Sequence, residues 1–202
     1  ARPRRRLPGL AERDRLVLLT LSITGLRRSE LIALDWRDLS LDGPKPSLLV
    51  RRGKGGKPRR QPLAPQLAAE LRRVRELPRP APNDPVFCGL AGRRLQEAIL
   101  ARIIARSAAR AGLDKHVTAH TLRHTAATWL RQATGDARLV AEYLGHADLS
   151  TVSRYAHVAP DELHEAAARL GERIASRTGQ EAARTLEPRL RPETSRLVKA
   201  CA

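Results

Sequence analysis

Methionine is absent from the sequence, aromatic residues make up 2% of it, and cysteine occurs twice. Each shortage narrows the possibilities. With 42% hydrophobic residues but so few rings, the core has to be packed from Leu, Ala and Val, which suits helices. Cys88 and Cys201 stand at unrelated positions, so neither a disulfide framework nor a metal knuckle is supported, and a reducing cytoplasm is the expected setting. No apolar run approaches the roughly eighteen residues of a membrane span, and the N-terminus carries no signal-peptide core, so a soluble protein is expected. Carboxylates do not cluster, which argues against a two-metal nuclease or transposase, since several would have to converge on magnesium. Without a methionine the initiator residue is missing, and the chain is expected to be an excised fragment.

What is abundant is positive charge. The net charge is +17, from 38 Lys+Arg against 21 Asp+Glu. It is unevenly placed, because residues 1–155 hold 30 of the basic and 14 of the acidic residues, leaving the rest of the chain nearly neutral. For a basic domain of this size duplex DNA is the leading partner, and the arginine excess suits forked contacts to phosphate. The 202 residues are enough for one substantial domain with its own core.

Residues 1–8 read as a basic linker. The apolar residues Leu16, Leu19 and Ile23 predict a buried helix over 10–24, and Ser29 and Glu30 open a second helix that Trp36 anchors. Residues 47–51 and 59–63 flank Gly53-Lys54-Gly55-Gly56-Lys57, a hairpin with a glycine-permitted turn. A P-loop is excluded there because no Gly-Lys-Ser/Thr follows and Pro58 blocks a helix start. Further helices are predicted over 66–77 and 95–111, the second with Ile99 and Ile103 inward, Arg102, Arg106 and Arg110 outward, and Gly112 closing it. Thr118 can cap a helix whose buried stripe is Leu122, Ala126, Trp129 and Leu130, and residues 137–144 form another that Gly145 ends. Asp148-Leu149-Ser150 could cap a short helix that Pro160 closes off. His116, His120 and His124 have the spacing of metal ligands on a helix, but nothing completes a coordination shell. Tyr143 shares a face with Leu139 and Leu144 and reads as core; on spacing alone Tyr155 reads as core too, and residue chemistry by itself leaves its role open.

Three of these stretches together carry a resemblance. His120-Thr121-Leu122-Arg123, then Leu144-Gly145-His146, then Tyr155 nine residues later, resemble the C-terminal signature of the tyrosine recombinases, the phage-integrase family. Upstream, Thr24-Gly25-Leu26-Arg27-Arg28-Ser29-Glu30-Leu31 matches the family's first arginine box, and Lys54 of Gly53-Lys54-Gly55 its hairpin lysine. The resemblance implies a mainly α fold with a small antiparallel sheet or hairpin, a catalytic domain over 9–160, a C-terminal helix and tail over 161–202, and a separate N-terminal DNA-binding domain missing from this chain.

The implied chemistry is metal-free and ATP-free cleavage and rejoining of DNA. Tyr155 would attack the scissile phosphate to form a 3′-phosphotyrosyl link, Arg27 and Arg123 would clamp that phosphate, and His120 and His146 would hydrogen-bond it. Lys54 would be the general acid, with Glu30 orienting Arg27. Arg28, Arg51, Arg52, Lys57, Arg94, Arg102 and Arg106 are the expected DNA contacts. No cofactor is expected, and the chain is expected to be a monomer when free and a tetramer on DNA, in the nucleoid. Relatives commonly send the segment after the tyrosine into a neighbouring protomer, so residues 161–178, with Leu163, Ala167, Leu170 and Ile174 at helical spacing, are expected to dock in trans. Two other readings share parts of this pattern. A type IB topoisomerase uses the same chemistry without paired sites, and a non-enzymatic DNA-binding module would share the charge but has no need of a nucleophile.

Overall fold

Residues 9–53, 57–76, 79–89, 92–145 and 159–184 are described by the computed structural model. Seven helices and three strands make up this part: α1 (Leu10–Thr24), α2 (Arg28–Ala33), β1 (Leu39–Ser40), β2 (Ser47–Val50), β3 (Arg59–Pro62), α3 (Pro65–Glu76), α4 (Glu97–Arg110), α5 (Ala119–Thr134), α6 (Ala137–Leu144) and α7 (Pro160–Arg184). The mainly helical expectation is met, and helix α6 has the bounds its sequence suggested. The two-residue strand β1 was not legible, because two residues are too few to show a period.

Helix α1 runs through the centre of the molecule. From Leu16 to Thr24 every residue is buried, and apolar residues surround the axis rather than forming a stripe, as in a helix packed on all sides. The hydroxyls it takes inside are satisfied locally, with Thr20 Oγ1 donating to Leu16 O at 2.8 Å and Thr24 Oγ1 to Thr20 O at 2.6 Å. Helices α3, α5 and α7 pack against it. Gly25 ends α1 with φ 59°, and a Cβ there would lie 2.5 Å from Leu144 Cδ2, so backbone angle and close packing both demand glycine.

Caps set the other helix ends. Thr118 accepts from the backbone N–H of Thr121 at 3.2 Å at the start of α5, and Asp136 accepts from those of Arg138 and Leu139 at the start of α6. The three strands form an antiparallel sheet in the order β1-β2-β3, with Leu48 opposite Gln61 and Val50 opposite Arg59. Alternation along β3 therefore puts Arg59 and Gln61 on one face and Arg60 on the other, where Arg60 reaches Ser47 Oγ at 3.2 Å.

Helix α7 corrects one expectation. Ala166, Ala167, Leu170 and Ile174 are buried against α1, α3, α5, α6 and β3 of the same chain, so the stripe packs in cis rather than on a neighbour. Gly171 passes so close to the start of α3 that a Cβ would lie 2.6 Å from Gln66 Oε1 and 2.7 Å from Ala64 Cβ just before it, and Arg177 lies over the Trp129 ring at 5.3 Å. The stripe is narrow because its helix lies in a groove between several elements, not because a second protomer covers it. Replacing Leu170 and Ile174, 0% and 1% exposed, by Glu is expected to cost the monomer more than about 4 kcal/mol. Chemical denaturation of the free chain checks this, and a variant that melts within a few degrees of wild type would contradict the packing.

Candidate active site

A carboxylate organises the site. Arg27 immediately precedes α2 in extended backbone, φ −66° and ψ 154°, and Glu30 sits in the helix's first turn. That spacing lets Glu30 take two bonds from Arg27, one from its backbone N–H to Oε2 at 2.9 Å and one from Nη1 to Oε1 at 2.8 Å. From β3, Arg59 approaches with both prongs, Nη1 to Oε1 at 2.8 Å and Nη2 to Oε2 at 2.9 Å. Glu30 is 5% exposed. Burial alone would raise its pKa, but the bonds from Arg59 and Arg27 outweigh this and hold the carboxyl at about 2.

Arg123 enters from the second turn of α5 and is 7% exposed. Its Nη1 donates to Gly25 O at 2.5 Å and its Nη2 to Leu144 O at 2.8 Å, so two helix ends fix its plane. Burial, then the nearby positive charge of Arg27, pulls its pKa down to about 10, with Glu30 opposing and Arg59 adding to the effect. It stays protonated at neutral pH. Arg27 and Arg59 thus bond one carboxylate whose charge also reaches Arg123, and the unbalanced positive charge suits a phosphate or another oxyanion.

Beside this cluster runs a groove of about 930 Å³ lined by Arg27, Arg28, Ser29, Glu97, Arg102, His116 and His120, with Leu100, Ile104 and Val117 among its apolar residues. His120 stands exposed on the first turn of α5 and lines the same groove as Arg27. Arg28 and Glu97, both in the groove's lining, pair at 2.9 Å. On the hairpin, Gly53 N–H donates to Lys57 O at 3.0 Å, closing the loop that carries Lys54. Lys54 itself, His146 and Tyr155 lie outside the described residues. The other tyrosine is inaccessible: Tyr143 is 2% exposed, donates to Ile23 O at 3.2 Å, and has its pKa pushed up by burial.

The remaining arginines expected to meet DNA divide by their use within the chain. Arg51 pairs with Asp35 at 2.8 Å and Asp38 at 3.3 Å, Arg94 pairs with Asp35 at 2.5 Å, and Arg106 pairs with Asp14. These side chains brace α1, α4 and the sheet. Arg52, Lys57 and Arg102 are exposed.

The family model described as the phage integrase family matches residues 7–162. The chain belongs to that family. It is 40% identical over 149 residues to the tyrosine recombinase XerC of Xanthomonas campestris, covering 74% of this chain and 45% of that protein. The tyrosine recombinase XerC of Rhizobium meliloti is likewise 40% identical, over 153 residues, with 75% and 47% covered. Among solved structures, the XerH site-specific recombinase bound to its difH substrate before cleavage is 35% identical with a TM-score of 0.59, over 77% of this chain and 46% of that one. The integrase of mycobacterium phage Brujita, at 22% identity and a TM-score of 0.63, shares the fold. This chain spans about half the length of the curated relatives it matches.

Within this cluster, Arg59 is the residue that sequence reasoning missed. Its signal was present but weak: in a strand of alternating residues it falls on the face of the buried Gln61. Glu30 makes the stability of the chain depend on pH. A carboxyl depressed to about 2 in the folded chain adds stability that is complete above its unfolded value of about 4.3 and is lost as pH falls toward the folded value. Asp35, Asp42, Glu70 and Asp161 are lowered too, so the useful quantity is the difference from a Glu30→Gln variant. Urea denaturation is expected to show wild type more stable near pH 6 and this advantage shrinking by about 3 kcal/mol by pH 2. A pH-independent difference would contradict the ion-pair assignment.

Proposed function

We propose that the chain is the catalytic part of a site-specific DNA recombinase that breaks and rejoins DNA through a 3′-phosphotyrosyl intermediate on Tyr155. The observation that carries this reading is the pair Arg27 and Arg123, the first bonded to the buried Glu30 and the second buried within reach of the charges of both, in a cluster with excess positive charge. Family membership supports it, and XerH, named as a site-specific recombinase, was solved on its difH substrate. Only two tyrosines occur in the chain, and the buried Tyr143 hydroxyl has no route to a phosphate, which leaves Tyr155.

The chemistry is an in-line displacement at phosphorus. The Tyr155 oxygen bonds to the scissile phosphate as the bond to the 5′ oxygen breaks, and the energy of the phosphodiester is kept in the new link, so rejoining needs no ATP. Arg27 and Arg123 neutralise the non-bridging oxygens with forked donors that lysine could not reproduce. His120 and His146 hydrogen-bond the same oxygens, His120 also takes the proton that the Tyr155 phenol loses on attack, and Lys54 protonates the departing 5′ oxygen. Arg28, Arg52, Lys57 and Arg102 contact flanking phosphates, with Arg51, Arg94 and Arg106 contributing the donors their internal ion pairs leave over. Duplex DNA is the partner, and assembly into a tetramer on it pairs the exchanging strands.

A library of nicked duplexes randomised around the nick tests this directly, because loss of the short fragment traps covalent protein. Wild type is expected to form a denaturation-resistant adduct and Tyr155→Phe none, with noncovalent binding nearly unchanged. Adduct formation by Tyr155→Phe would move the nucleophile elsewhere.

The general acid has its own test. Lys54→Ala is expected to slow cleavage by about two to four orders of magnitude, and a 5′-bridging phosphorothiolate should restore much of the rate, since sulfur leaves without a proton. Rescue of Lys57→Ala but not of Lys54→Ala would transfer the role to Lys57.

A further inference from the structure

We infer that Arg59 is the positioning residue that holds the separate parts of the proposed active site in one register, acting through Glu30 and through two glycine contacts rather than on DNA. This rests on the recombinase reading for its kinetic consequence, but the geometry is independent of it. Arg59 binds both oxygens of Glu30 at 2.8 and 2.9 Å, and Arg27 shares Oε1 of that carboxylate. Its side chain also lies against two backbone segments. A Cβ on Gly145 would fall 2.7 Å from Arg59 Cδ and Nε, and one on Gly53 would fall 3.1 Å from Nη1. Gly145 immediately precedes His146 and Gly53 immediately precedes Lys54.

One guanidinium therefore touches the carboxylate that orients Arg27 and the residues next to the hairpin lysine and the second histidine. Its charge also acts on Arg123. Both of its prongs are taken by Glu30, which makes it a poor DNA contact and a good spacer. Its Nε is buried without an acceptor among the described residues, a cost that a merely surface ion pair would not carry. Such a spacer has to be forked, because both prongs go to Glu30 while the stem fills the space that Gly145 leaves open. Lysine supplies one charge and no plane.

The charged groups facing Glu30 are Arg27 from the start of α2, Arg59 from β3 and Arg123 from α5. Removing Arg59 leaves Arg27 as the one direct partner among these, so the carboxyl is expected to titrate closer to an ordinary glutamate. The test uses the whole chain and three variants, Arg59→Gln, Glu30→Gln and the double variant. Without DNA, a carbon-detected NMR titration of the Glu30 carboxyl should move upward in Arg59→Gln; an unchanged titration overturns the inference whether or not the chain cuts DNA.

With the nicked duplex recovered from the randomised library, adduct formation at saturating duplex should slow about tenfold to a hundredfold. The half-saturating concentration and its salt dependence should stay as in wild type. Adding Arg59→Gln to Glu30→Gln should cost less than about twofold more, because the path through Glu30 is already cut. Weaker binding with a shallower salt slope would make Arg59 a phosphate contact and overturn the inference, as would additive losses in the double variant. If Arg59→Gln does not fold, Arg59→Lys carries the same readouts and should fall between wild type and the expected Gln behaviour. Failure of the wild-type chain to form any adduct would count against the recombinase reading alone, since the titration still decides the positioning claim.

Discussion

A buried carboxylate with two guanidinium partners is the constraint on which this site depends. Glu30 is taken out of water, which on its own would favour the protonated acid, and the four bonds from Arg27 and Arg59 reverse that preference. The bonds come from segments far apart in sequence, the start of α2 and strand β3. A single ionised side chain thereby fixes the distance between the first arginine box and the hairpin. Losing either partner would leave a buried charge undercompensated, which costs more than an exposed ion pair contributes.

The second constraint is steric. Gly25 and Gly145 both adopt left-handed backbone, and both sit where a methyl group would collide, the first with Leu144 and the second with Arg59. Arg123 threads between the same two turns, donating to Gly25 O and Leu144 O. Close approach of helix ends is thus what allows one arginine to be held by two carbonyls whose own helices have finished with them. Helix α7 reinforces the arrangement from behind, because its buried face touches α1, α5, α6 and β3, each of which borders the site.

Much of this is readable in the linear sequence, and the parts that are not share a cause. The cap Thr118, the terminator Gly145 and the stripe Leu122, Ala126, Trp129, Leu130 are local patterns, which need only neighbouring residues to be recognised. The pairing of Arg27 with Glu30 is also local, three residues apart. Arg59 is 29 residues from Glu30, and nothing in Arg-Arg-Gln-Pro distinguishes it from its neighbour until strand alternation and register are known. The docking of α7 failed for the same reason. A stripe of Ala167, Leu170 and Ile174 states that something must cover it, and only the assembled core states that the cover is β3 and the helices of the same chain.

Charge balance explains why such a site would wait for an anion. Three guanidinium groups stand near one carboxylate that bonds only Arg27 and Arg59, and the cost falls on Arg123, whose protonated form is disfavoured by burial and by Arg27 and Arg59. It still keeps its proton, because a pKa of about 10 lies well above neutrality, but it does so against repulsion that solvent cannot screen well at 7% exposure. On the proposed reading, a phosphodiester placed between Arg27 and Arg123 would remove that repulsion as it adds its own hydrogen bonds. By linkage, the same anion would raise the pKa of Arg123 and stabilise the folded chain. The backbone carbonyls of Gly25 and Leu144 hold Arg123 in place beforehand, so little conformational freedom is lost when the phosphate arrives.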